Sequence, residues 1–217
     1  MPAAPFPRQA AVPAWFAMES ALAMRELEHR SLFERLNEVP VQPWLWLAPN
    51  ADWLPGELPQ GRGLRLHPNE GGSGYDGDLR CSLPLPLPAE ALKTIVLQHV
   101  AAEQMQALVA ECARVLMPGG RLWMTLLNRC SPYRAHWQWH DARPPSAGRC
   151  RMQLRGEGLQ CTAVHHLGPL LGRPGAGNGR SLPALRAVCL LAAEKRAVPL
   201  TGVGQLRSAD WRRPLAT

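Results

Sequence analysis

The run from Leu83 to Tyr133, LPLPLPAEALKTIVLQHVAAEQMQALVAECARVLMPGGRLWMTLLNRCSPY, restricts the folds open to this chain more than any other stretch. Thr94–Leu97 is a short apolar and β-branched run that reads as a buried strand. From Ala101 to Leu116 the residues Met105, Leu108, Val109, Cys112, Val115 and Leu116 keep the i, i+3, i+4, i+7 spacing of an amphipathic helix. Gln104, Gln106, Glu111 and Arg114 take its other face. Met117-Pro118-Gly119-Gly120 ends the helix, because proline cannot continue it and glycine allows a left-handed turn. Leu122–Leu127 then reads as a second buried strand. Strand, helix, tight turn and strand make a βαβ unit with parallel strands and a right-handed crossover. The chain is therefore α/β.

The ordered combination LPLPLPAEALKTIVLQHVAAE and ARVLMPGGRLWMTLLN resembles the second half of a class I S-adenosylmethionine-dependent methyltransferase, of the small bacterial group labelled type 11. The likeness is close over the 83–133 run and looser over most of the chain. It implies a Rossmann-like methyltransferase fold: a mostly parallel twisted sheet, helices on both faces and an antiparallel strand near the C-terminus. That domain is expected to span residues 14–200, between flexible tails at 1–13 and 201–217. VHHLGPLLG and LRAVCLLAAEKRAVPLT resemble the terminal hairpin of such a sheet, with strands expected over Gln160–Leu167 and Leu185–Ala193.

Before the 83–133 run, Ala14–Glu38 reads as a helix with Trp15, Met18, Leu22, Leu27, Phe33 and Leu36 on a drifting apolar stripe. Pro40 and Pro43 close it. Trp44–Leu47 reads as the first strand and Leu64–His67 as the second. In the resembled family the first strand runs into a glycine-rich loop. Glycines there let the backbone approach the cofactor, and the helix that follows offers free N–H groups. Here Ala48, Asn50 and Asp52 occupy the three glycine positions, Trp46 the acidic strand position, and Pro49 removes a backbone donor.

The resemblance assigns S-adenosylmethionine as cofactor and places Ala48, Asn50, Asp52, Glu70, Asp78 and Gln98 around it. Glu70 would meet the ribose hydroxyls, or be a solvated loop acid. Asp78 would meet the adenine amino group, or be an exposed turn residue. Gln98 and His99 follow the fourth strand, where open α/β sheets bind ligands. His99 is the candidate catalytic base, or a histidine that caps the strand and packs. Asn128–Arg134 falls where substrate contacts are usual. His136 and His140 can share a helix face, but two histidines without a third ligand are a weak metal signal. No metal is expected. Arg143–Arg149, with Pro144, Pro145 and Gly148, reads as a loop.

Charge is unevenly spread. Residues 1–110 carry 8 basic and 12 acidic side chains, net −4, and residues 111–217 carry 16 and 5, net +11. A basic C-terminal half can meet RNA, another polyanion or a protein partner, or reflect an arginine-rich composition. No run reaches the 18 or more apolar residues of a membrane span. The N-terminus has no apolar core of a secretory signal. The six cysteines form no CxxC pair and read as reduced thiols of a cytoplasmic protein.

Besides a basic RNA-binding module on the same scaffold, two functions remain open. One is a methyltransferase acting on a small-molecule or RNA acceptor, which needs aligned reactants and at most a base. The other is a lapsed methyltransferase, a pseudoenzyme that keeps the sheet, has lost the cofactor loop and serves as a binding or partner subunit.

Overall fold

The structure is a computed structural model and describes residues 14–38, 41–69, 74–138, 143–169 and 183–196. Glu70, Trp139, His140 and both expected tails lie outside the described residues. The strands are β1 (Trp44–Leu47), β2 (Gly63–Pro68), β3 (Tyr75–Gly77), β4 (Leu92–Gln98), β5 (Leu116–Leu127), β6 (Leu159–Leu167) and β7 (Val188–Lys195). The helices are α1 (Glu19–Asn37), α2 (Met105–Val115), α3 (Arg134–Gln138) and α4 (Ala147–Gly156). The strands form one sheet in the order β3-β2-β1-β4-β5-β7-β6. β1 pairs in parallel with β2 and β4, and β4 with β5, as the βαβ reading requires. β7 is antiparallel to β5 and β6. β3 folds back on β2 as a second antiparallel strand, beyond the C-terminal one expected.

The βαβ unit keeps its expected order, but α2 starts at Met105 rather than Ala101, and β5 begins at Leu116, so the Met117–Gly120 turn falls within the start of the strand. Leu108, Cys112, Val115, Leu116 and every residue of Leu122–Leu127 are buried. Gly119 has φ +70°, and a Cβ at Gly120 would meet the Leu116 side chain at 2.7 Å and the Met117 carbonyl at 2.8 Å, so the turn needs its glycines. Glu111, expected on the polar face, is buried. Its Oε1 accepts the Leu85 N–H at 2.7 Å, and Arg114 bonds both the Glu111 carboxylate and the Leu85 carbonyl. The LPLPLP segment, whose prolines leave few donors, is thereby fastened to α2 at the Leu85 amide and carbonyl. The guanidinium holds the Glu111 carboxyl below its usual range.

The two faces of the sheet carry different cores. Beneath α2 and α4 lies an aliphatic core of Leu, Ile, Val, Met and Cys, with Tyr75 as its aromatic member. Beneath α1 lies an aromatic one, with Trp15, Phe16, Trp44, Trp46, Trp53, Trp123, Tyr133 and Trp137. The connection from β1 to β2 holds only a 3-10 turn, Ala51–Trp53, and β2 to β3 is a hairpin. α1 therefore covers its face almost alone, and bulky rings fill the space that crossover helices occupy in a doubly wound sheet.

Two local readings change. Residues 14–38 form a 3-10 turn, Ala14–Ala17, followed by α1, and the buried stripe is Ala21, Met24, Glu28, Leu32 and Leu36; Met18 is exposed. The expected Arg143–Arg149 loop runs into α4 from Ala147. Ser146 caps that helix by accepting the Arg149 N–H, and its two buried residues, Cys150 and Leu154, make a stripe too narrow to read. All six cysteines are free thiols. Among the described residues no helix is long and apolar enough to cross a membrane.

Leu108 has no solvent exposure and sits at the centre of the α2 stripe. Leu108→Ala is expected to lower unfolding free energy by about 2–5 kcal/mol in denaturant titrations. A loss below about 0.5 kcal/mol, the range of surface changes, would show that α2 does not pack as described.

Candidate functional site

The strand order reverses between β1 and β4, and an open α/β sheet places its ligand crevice at the carboxyl ends of the strands flanking such a point. The residues that leave those ends are Ala48 and His99. Leu47 and Leu97 are register partners, which brings Gln98 and His99 beside the loop that follows β1.

The chain itself fills this crevice. Asn50 caps the 3-10 turn after β1 by accepting the Trp53 N–H at 3.1 Å, which swings the Trp53 side chain inward. Trp53 is fully buried and its indole N–H donates to the Phe16 carbonyl at 2.8 Å. The Trp53 ring meets the His99 ring edge to face, with centroids 5.0 Å apart, and the Phe16 ring at 5.3 Å. Phe16 in turn lies 5.2 Å from the His99 ring, with Trp15 packed against both Phe16 and Trp53. The His29 ring N–H donates to the Trp53 carbonyl at 3.0 Å, and Arg25 reaches the Asp52 carbonyl. The 3-10 turn of residues 51–53 is thus held by α1 from one side and by the 14–17 turn from the other.

Below the rings runs a buried polar chain. The Trp46 indole N–H donates to Gln98 Oε1 at 2.7 Å, and the Gln98 amide donates to Glu28 Oε2 at 3.2 Å. His99 Nε2 lies 2.7 Å from Glu28 Oε1 and carries the proton of that bond, since the carboxylate can only accept. The side chains of Glu28 and His99 are 0% and 2% exposed, so the contact is shielded from solvent. His99 has φ +49°, unusual for a residue with a Cβ, and its N–H donates to the Thr125 carbonyl at 3.0 Å. Its Nδ1 is buried and makes no hydrogen bond.

Ala48, Gln98 and His99 of the expected site therefore converge. Asn50 acts as a helix cap. The Asp52 residue is exposed, its carbonyl engaged by Arg25. Asp78 lies elsewhere, at the β2–β3 hairpin, where it accepts both the Arg65 N–H and the Arg65 guanidinium at 2.8 Å. That guanidinium holds its carboxyl below the usual range. Asn128 uses its amide on the Ala184 and Arg186 carbonyls and ties β5 to the entry of β7. Glu28, Trp53 and Phe16 went unread. Glu28 was detectable: it sits at i+4 from Met24 and i−4 from Leu32, an acid on the buried stripe of its helix. Among the described residues no group of three or more His, Cys, Asp or Glu could hold a metal.

Solved structures with this architecture are S-adenosylmethionine-dependent methyltransferases. A complex between the Haloferax volcanii Trm112 methyltransferase activator and a methyltransferase matches with TM-score 0.57 and 17% identity, covering 87% of this chain and 99% of that one. An Aquifex aeolicus methyltransferase matches with TM-score 0.53 and 14% identity over 82% and 94% of the two chains. A Burkholderia thailandensis 1,6-didemethyltoxoflavin-N1-methyltransferase with bound S-adenosylhomocysteine matches with TM-score 0.51 and 13% identity over 81% and 79%. This chain has the class I methyltransferase fold. No protein-family model matches the sequence, and no curated protein matches it. The crevice at the switch point is lined by side chains of this chain in the conformation described. Its glycine positions carry side chains, Pro49 removes a donor, and the polar groups of Gln98 and His99 Nε2 are spent on Glu28 beneath a cover of buried aromatic rings.

Removing one partner of the buried pair leaves the other unpaired. Glu28→Ala is expected to cost about 3–5 kcal/mol in unfolding experiments, and Glu28→Gln clearly less, since an amide oxygen still accepts from His99. Equal losses for the two would mean that packing, not the hydrogen bond, holds α1 down. Burial lowers the His29 pKa from its usual 6.5, against the opposing effect of Glu28. The folded state therefore favours the neutral ring. The unfolded chain takes up the proton first, and stability falls as pH drops through about 6.5. His29→Gln should flatten the fall in thermal midpoint between pH 7.5 and 5.5; an unchanged slope would assign that fall to other groups.

Proposed function

We propose that this chain is a lapsed methyltransferase that works as a binding or partner subunit. The observation that carries the reading is the self-filled crevice: Trp15, Phe16 and Trp53 lie over Gln98 and His99, and Glu28 takes the hydrogen bonds that a ligand would use. A class I fold needs no other change to lose its cofactor while keeping its sheet, because the sheet is held by its own cores and not by the ligand. A partner role is in keeping with the Haloferax volcanii relative, which was solved in complex with an activator protein.

The alternative is an S-adenosylmethionine-dependent methyltransferase for a small-molecule or RNA acceptor. It draws on the fold and on a relative with S-adenosylhomocysteine bound. In that reading the 14–17 turn and Trp53 leave the crevice when the cofactor enters, and His99, whose Nδ1 makes no hydrogen bond, takes a proton from the substrate. The binding affinity then bears the cost of uncovering three aromatic side chains, of order 1.5–3 kcal/mol each.

Calorimetric titration of the purified protein with S-adenosylmethionine and with S-adenosylhomocysteine separates the two. The lapsed reading expects no heat of binding up to millimolar ligand, and micromolar binding of either would overturn it. Glycine at positions 48, 50 and 52 together is not expected to restore binding, since Trp53 and Phe16 still fill the space. If the basic half serves RNA instead, mobility shifts should appear at low salt and weaken steeply as salt rises.

A further inference from the structure

Edge strand β6 carries features that neither the methyltransferase fold nor the filled crevice uses. It ends the sheet, pairing with β7 alone among the described residues. A register shift between Cys161 and Ala163 interrupts its first half. Beyond it, Ala163–Leu167 run in unbroken register with Ala192–Val188. Native edges are usually shortened, charged or covered, because an unpaired strand accepts another strand. This five-residue edge has no acidic or lysine side chain and no proline.

Its surroundings are basic on both sheet faces. On one, α4 lies along β6 and β7 and projects Arg149, Arg151 and Arg155, all exposed and without an ion-pair partner among the described residues. Arg151 is close enough to Cys189, the register partner of His166, to act on its thiol. On the other face Arg35 of α1 acts on His165 in the same way. Glu157, in the turn between α4 and β6, and Glu194 on β7 are the acids nearest in sequence. Two apolar side chains stand uncovered in this basic field, Met152 at 71% exposure and Val164 at 39%.

We infer that the Ala163–Leu167 edge takes an added β-strand from an acidic partner polypeptide, whose carboxylates meet Arg149, Arg151 and Arg155. This rests on the reading of the chain as a partner subunit. Three features select the occupant. An unpaired edge asks for backbone donors and acceptors, which strand addition supplies. Exposed Met152 and Val164 ask for apolar side chains, which a phosphate backbone lacks. The arginines repel a second copy of this chain on the same edge, since it would bring its own three.

The test uses the full chain and a nine-residue fluorescent peptide of alternating glutamate and valine. A lysine–valine peptide and a uridine oligonucleotide serve as comparisons. Anisotropy should report binding of the glutamate peptide and not of the lysine peptide. Amide exchange across Ala163–Leu167 should slow at least tenfold when the glutamate peptide is added. Arg149→Glu, Arg151→Glu and Arg155→Glu together, all on an exposed helix face, should weaken the peptide at least tenfold. Three outcomes overturn the inference: oligonucleotide that displaces the peptide, affinity unmoved by charge reversal, or protection in the chain alone of the β6 amides that point away from β7. The last would mean that another part of the chain, or a second copy, covers the edge. None of these outcomes depends on cofactor binding. A positive cofactor titration would remove the lapsed reading and leave the edge result standing; a silent peptide would remove the edge and leave the crevice closed.

Discussion

The contact between α1 and the sheet holds the rest of the molecule in place. One helix, with a short turn before it, covers a face that a doubly wound sheet normally divides among several crossover helices. A single helix is too narrow to fill that volume with leucines. The sequence answers with rings: the six tryptophans among the described residues all lie in the core beneath α1. Trp46 and Trp123 rise from neighbouring parts of the sheet, Trp15 and Trp53 close its carboxyl end, and Trp137 comes from α3. Each ring fills space that an aliphatic residue would leave empty, and interiors tolerate few voids larger than a water molecule.

That solution brings a buried carboxylate with it. Gln98 and His99 at the end of β4 bring polar side chains into the aromatic core, where unpaired groups are costly, while the Trp15, Trp44 and Trp137 indole N–H groups make no hydrogen bond. Glu28 accepts from Gln98 and His99 directly and is coupled through Gln98 to Trp46. The arrangement also explains why His99 sits in a left-handed conformation: that backbone turns its ring off the strand toward α1, where Glu28 waits. Position, hydrogen bonding and backbone geometry at the end of β4 thus answer to one helix.

Much of the scaffold was readable because it depends on local pattern. The stripe of α2, the Pro-Gly-Gly turn and the apolar strands β1, β4 and β5 each follow from spacing along the chain, and their order fixes a parallel sheet. α4 was not readable, since a helix with only Cys150 and Leu154 buried gives almost no period. The crevice was readable in half. The missing glycines at 48, 50 and 52 were plain in the sequence. That Trp53 would turn inward, and that Glu28, 71 residues from His99, would close over it, depends on long-range contacts that no local window holds. Asp78 was placed by resemblance near an adenine site. In the structure Asp78 pairs with Arg65 beside the antiparallel β2–β3 pair.

A crevice filled by its own chain changes what stability depends on. A protein that binds a ligand at a hundred times its dissociation constant gains about 2.7 kcal/mol, and loses it when the ligand is gone. A fully buried tryptophan such as Trp53 contributes on the order of 3–5 kcal/mol, judged by truncation to alanine, and does so unconditionally. The loop of residues 48–52 is then held to how well it seats that ring. Asn50 illustrates this: at a position where glycine would admit a ligand, its side chain instead caps the turn that delivers Trp53. The buried rings contribute to stability whether or not a small molecule binds, and the far edge of the sheet carries the exposed arginines of α4 beside β6.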